Sequence, residues 1–173
     1  MKTLKKTILL LMAVMAVSLT SCKKDDDGGG GGGGAGEGQV VAKVNGGSFS
    51  SLEMASTASI TTAGGQTTVT MQGSDVNGKG IYLIINAFDG PGTYELNDNN
   101  VFVVATYVEA NVQNPMDSQT WTAPYENSGA VGEIKISERT DERIKGTFNF
   151  KAKNGQDNSV KTITEGSFNL KFQ

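Results

Sequence analysis

From Gly132 to the end, the chain alternates. Ile144, Gly146, Phe148, Phe150 and Ala152 fall on one face, with Lys145, Thr147, Asn149 and Lys151 on the other. A period of two belongs to a strand, whose successive side chains point to opposite sides. One apolar face and one wet face describe an antiparallel sheet resting on a core. Gly166-Ser167-Phe168-Asn169-Leu170-Lys171 repeats the pattern of Gly146 to Lys151, so two neighbouring strands present the same inward glycine and aromatic set. Ile163 breaks the parity, being odd-numbered where Phe168, Leu170 and Phe172 are even. If all four point inward, one extra residue has to be absorbed, and a β-bulge at Glu165-Gly166 is the simplest device; otherwise Ile163 faces outward.

The same grammar runs through the preceding hundred residues. Val40 to Val44 reads as a short strand ending in the turn Asn45-Gly46-Gly47, whose residue types accept positive φ and start a hairpin. Ser48 to Thr62 is rich in Ser, Thr and Ala, and its β-branched residues favour strand over helix, with room for a single helical turn between Leu52 and Ala58. After Gly64-Gly65, Thr67 to Gln72 alternates. Ile81 to Phe88 and Val101 to Val108 are apolar on both faces, the mark of strands central in a sheet or in a barrel wall. Asp89-Gly90-Pro91-Gly92 and Asn97-Asp98-Asn99-Asn100 are turns. Short strands at regular spacing predict an all-β antiparallel domain of about eight to ten strands, closed as a sandwich or as a barrel.

The N-terminal part has a different logic. Lys2, Lys5 and Lys6 precede the unbroken apolar run Ile8 to Val17, the layout of a signal peptide over residues 1–21. That run is too short to span a bilayer. Residues 22–38 carry Cys22, the charged block Lys23 to Asp27 and a nearly pure glycine stretch, which reads as a disordered tether with a reach of roughly 20 to 25 Å. The folded domain is expected over 39–173.

Composition closes several routes. The 173 residues contain no histidine and one cysteine, Cys22. The commonest general base and zinc ligand are therefore missing, and stability has to come from packing and sheet pairing. Without residues 1–21 the chain is more acidic, and its basic residues look scattered, which argues against nucleic acid as a partner. Asp75, Asn77 and Gly78 faintly echo a calcium loop, but the later acidic ligands are lacking and a hairpin turn explains them. No metal or cofactor is expected. Glu109, Asp117 and Glu126 flank one long segment, yet nothing in their spacing makes them a catalytic pair. A Ser or Thr nucleophile lacks its usual histidine. The chain is expected not to be an enzyme.

That long segment, Glu109 to Ser128, reads as irregular and carries Trp121 and Tyr125 just beyond Tyr107. Loops on a rigid β scaffold are where binding residues sit, so Trp121, Tyr125 and Tyr107 are candidate ligand contacts, with stacking on sugar rings as their chemistry. The competing and favoured role for Trp121 is a core plug.

Two resemblances add to this. Leu19-Thr20-Ser21-Cys22 resembles the lipobox of bacterial lipoproteins, which implies cleavage before Cys22 and a diacylglycerol thioether on it. Two or three acyl chains hold a protein stably where one does not. Asp25 to Asp27 directly after that cysteine resemble the surface-export signal of Bacteroidota lipoproteins, which implies an outer-membrane anchor with the domain facing the exterior. Residues 39–173 resemble an uncharacterised lipoprotein domain of Bacteroidota through Asn45-Gly46, Gly92-Thr93-Tyr94, Trp121, Ile144 to Phe150 and Ile163 to Phe168. These motifs are turns, core aromatics and strand faces, so the likeness transfers no catalytic residue. The expected function is a non-catalytic binding or adhesion module for a glycan or a protein, held to membrane lipid through acylated Cys22. The alternative is a lipocalin-like barrel binding a small apolar ligand between Ile81 to Phe88 and Val101 to Val108. Oligomeric state is left open.

Overall fold

The computed structural model describes residues 34–173. The expected leader, Cys22 and most of the glycine stretch lie outside the described residues. Eleven strands follow in order: β1 (Gln39–Val44), β2 (Gly47–Ser50), β3 (Ser56–Ala63), β4 (Gln66–Ser74), β5 (Lys79–Ile85), β6 (Gly92–Asn97), β7 (Val103–Glu109), β8 (Gln119–Ala123), β9 (Ala130–Arg139), β10 (Arg143–Lys153) and β11 (Val160–Lys171). The domain is all-β, as expected, with slightly more strands than anticipated. The difference comes mainly from Glu109 to Ser128, which is not irregular throughout: Gln119–Ala123 pairs with β7 and holds Trp121 opposite Tyr107. The single helical turn falls at Glu53–Ala55.

All the strands belong to one antiparallel sheet, ordered β2-β1-β11-β10-β8-β7-β5-β4-β3. β10 forks. Its last residue, Lys153, pairs with Thr122 of β8, while Ile144 to Phe150 pair with β9, which in turn carries β6. The sheet curls into a half-barrel whose β3 edge reaches the C-terminal end of β11. Phe172 bridges Ala58, the Gln173 amide donates to the Ala58 carbonyl at 3.0 Å, and the Leu52 amide donates to the Ser74 carbonyl at 2.9 Å. The result is barrel-like rather than a sandwich, because no second sheet is needed to cover the apolar face.

One contiguous cluster fills the inside. It runs from Val40 and Phe49 through Met71, Leu83, Ile85, Tyr107 and Trp121 to Ile134, Phe148, Phe150, Ile163 and Phe168. The two strands read as apolar on both faces are buried on one. Ile81, Leu83 and Ile85 point in, whereas Tyr82 and Ile84 are half-buried on the outer surface.

The parity break at Ile163 is a bulge. Between Ile163 and Gly166 β11 holds one residue more than either neighbour: Phe150 pairs with Ile163 and Phe148 with Gly166, and on the other side Lys43 pairs with Thr164 and Val41 with Ser167. Glu165 takes the strain with φ of 51°. Ile163, Phe168 and Leu170 are all buried in consequence. Gly166 is required by close approach, since a Cβ there would stand 2.6 Å from the Phe148 carbonyl oxygen. The first hairpin also turns as its residues dictate, with Asn45 at φ 48° and Gly46 at φ 84°.

The chain is held from Ala35 rather than from Gln39. The Ala35 amide donates to Ser167 Oγ at 2.8 Å, the Gly38 amide donates to the Asn169 carbonyl at 2.7 Å, and Glu37 pairs with Arg143 and Lys171. Residues 35–38 thus form a strap across the outer face of β10 and β11.

Candidate functional site

Two of the three aromatic residues singled out by sequence, Tyr107 and Trp121, meet at one end of the barrel, where β7, β8 and β11 converge. Tyr107 and Trp121 are cross-strand partners with ring centroids 5.7 Å apart. Inward-facing positions opposite each other on adjacent strands place large rings in contact, and such pairs add to the stabilisation from burial. Lys161 reaches over them from β11. Its Nζ lies 4.5 Å from the Trp121 ring centroid and 5.8 Å from that of Tyr107. Lys161 points inward because it shares the parity of Ile163, ahead of the bulge.

Glu109, at the end of β7, completes the cluster. A Glu109 carboxylate oxygen, Oε1, accepts from Tyr107 Oη at 2.9 Å and from Lys161 Nζ at 2.9 Å. Burial pushes the Glu109 carboxyl up, but the bonds from Lys161 and Tyr107 outweigh it and hold the group below the ordinary range. Burial, then the bond to that carboxylate, drives the Tyr107 phenol well above its usual value and keeps it protonated. The Trp121 indole N–H donates to Ser159 Oγ at 2.8 Å. Every polar group of the cluster has a partner, so it acts as a charged plug on the core.

The three expected contacts therefore separate. Trp121 is 2% exposed and Tyr107 1%, so neither presents a ring face for stacking. Tyr125 is half-buried, follows the cis peptide Ala123-Pro124, and lies under Lys153 Nζ at 5.8 Å. The inward residues of β5 and β7, expected to line a cavity under the alternative reading, belong to the same packed cluster as Trp121 and Phe150. Asp75 is a turn residue: its Oδ1 accepts the amides of Asn77 and Lys79, both at 2.8 Å. Among the described residues no group of three or more acidic side chains is placed to hold a metal. No described helix is long and apolar enough to cross a membrane.

Two features escaped the sequence. Loops at the plugged end expose Val76, Val112 and Met116, at 74%, 84% and 91%. They are tied together, as the Ala110 amide donates to the Gly78 carbonyl at 2.9 Å. Isolated apolar residues in polar loops carry no sequence signal until the fold places the loops side by side. The second feature is a groove of about 510 Å³ beside the strap, lined by Gly38, Leu52, Glu53, Met54, Ser56, Lys171 and Gln173.

A curled antiparallel sheet with a solid core and a saturated ionic plug defines a β-barrel-like domain compatible with a binding role. Residues 37–170 match the family described as a domain of unknown function, DUF6252. The chain belongs to that family. No curated protein and no solved structure matches it.

Proposed function

We propose that this is a membrane-anchored lipoprotein, acylated at Cys22, whose β domain serves as a non-catalytic binding module at the exterior of an outer membrane in Bacteroidota. The observation that carries the anchoring is Leu19-Thr20-Ser21-Cys22 directly after the apolar run Ile8 to Val17, on a chain with a single cysteine. Asp25 to Asp27 support outward display. With Trp121 and Tyr107 in the core, a glycan platform loses two of its three rings, and a protein partner fits better. Its contact is assigned to Val76, Val112 and Met116, because apolar side chains on a polar rim gain most from being covered by another protein.

Metabolic labelling of the full chain with a tagged fatty acid tests the anchor. Label on the wild type and none on Cys22→Ala is expected; label that survives the substitution sinks it. Protease treatment of intact cells tests display, with loss of the domain expected before lysis.

A further inference from the structure

The basic residues that look scattered along the chain are gathered by the fold. Ten lie among residues 34–173. Four of them, Arg143, Lys145, Lys151 and Lys153, are on the outer face of β10, alternating with the buried Ile144 to Ala152. Ladder pairing puts Lys171 of β11 beside Arg143, and Lys135 of β9 beside Thr147. Lys43 of β1 is opposite Thr164. Seven basic side chains thus share one wall with four acidic ones, Glu37, Glu133, Glu138 and Glu165. The rest of the described chain holds three basic residues against eleven acidic. The domain is electrically two-sided although its net charge is negative.

The same wall is where the chain leaves the domain. Ala35 is bonded to Ser167, whose hydroxyl faces outward from β11 beside Thr147 of β10. Eleven residues lie between Cys22 and Gly34, and even fully extended these twelve steps reach no more than about 43 Å. The wall therefore cannot retreat far from whatever holds Cys22. Glu37 neutralises Arg143 and Lys171, while Lys135, Lys151 and Lys153 make no ion pair among the described residues.

We propose that the outer wall formed by β1, β9, β10 and β11 lies against anionic phospholipid headgroups of the bilayer that carries the anchor, with Lys135, Lys151 and Lys153 as its contacts. This rests on the anchoring proposed above. A basic wall facing anionic lipid, with the acidic remainder turned to solvent, is the orientation that the charge distribution favours within a screening length of the surface. Tethering makes the contact effective, since it raises the local concentration of a patch too weak to recruit the domain by itself.

The test separates docking from native lipidation. The chain from Cys22 onward, which retains the whole core cluster, is coupled through its one thiol to a maleimide lipid. The vesicles are phosphatidylcholine with or without phosphatidylglycerol, and folding is checked by circular dichroism. Lysine acetylation rates are then read by mass spectrometry. On phosphatidylglycerol the rates at Lys135, Lys151 and Lys153 are expected to fall about fivefold relative to the exposed Lys79. This protection is expected to vanish on pure phosphatidylcholine and at about 1 M salt, where screening is shortest. In Lys135→Gln/Lys151→Gln/Lys153→Gln, the protection of Lys145 is expected to disappear too. Equal rates on both vesicle types, or protection of Lys79 equal to that of the wall, overturns the proposal whether or not Cys22 is lipidated in cells.

Discussion

At the scale of single residues, the structure turns on side chains that have one workable place. Trp121 is 2% exposed and bonded to Ser159, so Trp121→Ala is expected to cost about 3–5 kcal/mol, measured by urea unfolding. Gly166 has no room for a Cβ beside Phe148. Gly166→Ala is expected to destabilise by about 1–3 kcal/mol through overpacking, a loss the same titration reads. Glu109 has a depressed carboxyl in the folded protein. A group lowered on folding stabilises above its unfolded pKa, and that contribution is lost as pH falls through the folded value. Removing its bonded cation in Lys161→Met leaves burial opposed by the Tyr107 bond and the charge of Lys79, so the Glu109 carboxyl is expected to titrate at higher pH than in the wild type. Carbon-detected NMR of the carboxyl resonances checks the direction; a lower or unmoved value would falsify the plug as described. The core role of Trp121 was legible from its being the single tryptophan of a small β chain, whereas its partnership with Lys161 was not, since 40 residues separate them and only the sheet brings them together.

Elements behave as their alternation demands. β10 is the plainest case, with Ile144 to Ala152 buried at every second residue. β11 could not have followed the same rule throughout, and the bulge at Glu165 repairs it. Glu165→Val, β-branched, opposes the positive φ that the bulge requires, and without the bulge Ile163 and Phe168, five positions apart, fall on opposite faces; the expected loss is about 1–3 kcal/mol. Glu165→Gly keeps the positive φ and removes only the exposed pair to Lys43, so it is expected to change stability by less than about 1 kcal/mol. Urea titrations of the two variants side by side test the bulge. The strap is an element as well. The Lys171 bond holds the Glu37 carboxyl below its ordinary 4.5, so the strap is fully fastened above that pH and loosens as pH falls through the lower folded value. Amide exchange protection of Gly38 is expected to drop over that acid range while that of Ile163 persists; parallel loss at both would tie the strap to the core. This strap was invisible in sequence, because Ala35 to Gly38 look like the end of a glycine run and their bonds go to residues more than a hundred positions away.

For the whole molecule, a single core cluster implies a single cooperative unit. Near-ultraviolet and far-ultraviolet signals are expected to melt together, and separate transitions would show the β6–β9 branch to be independent. By itself the sequence determined the all-β class, most turns and the inward face of most late-strand residues, and it reduced the parity break at Ile163 to a bulge near Glu165 or an outward Ile163, because a period of two and a turn residue are local properties of adjacent positions. It also placed Cys22 as the one residue with an expected chemical fate. Only the tertiary structure decided that the sheet curls on itself instead of pairing with a second one, that Tyr107 and Trp121 are sealed under Lys161, and that seven basic residues share the wall from which the chain departs. These depend on which strands become neighbours and in what register, and that is settled by the joint packing of residues far apart in the chain.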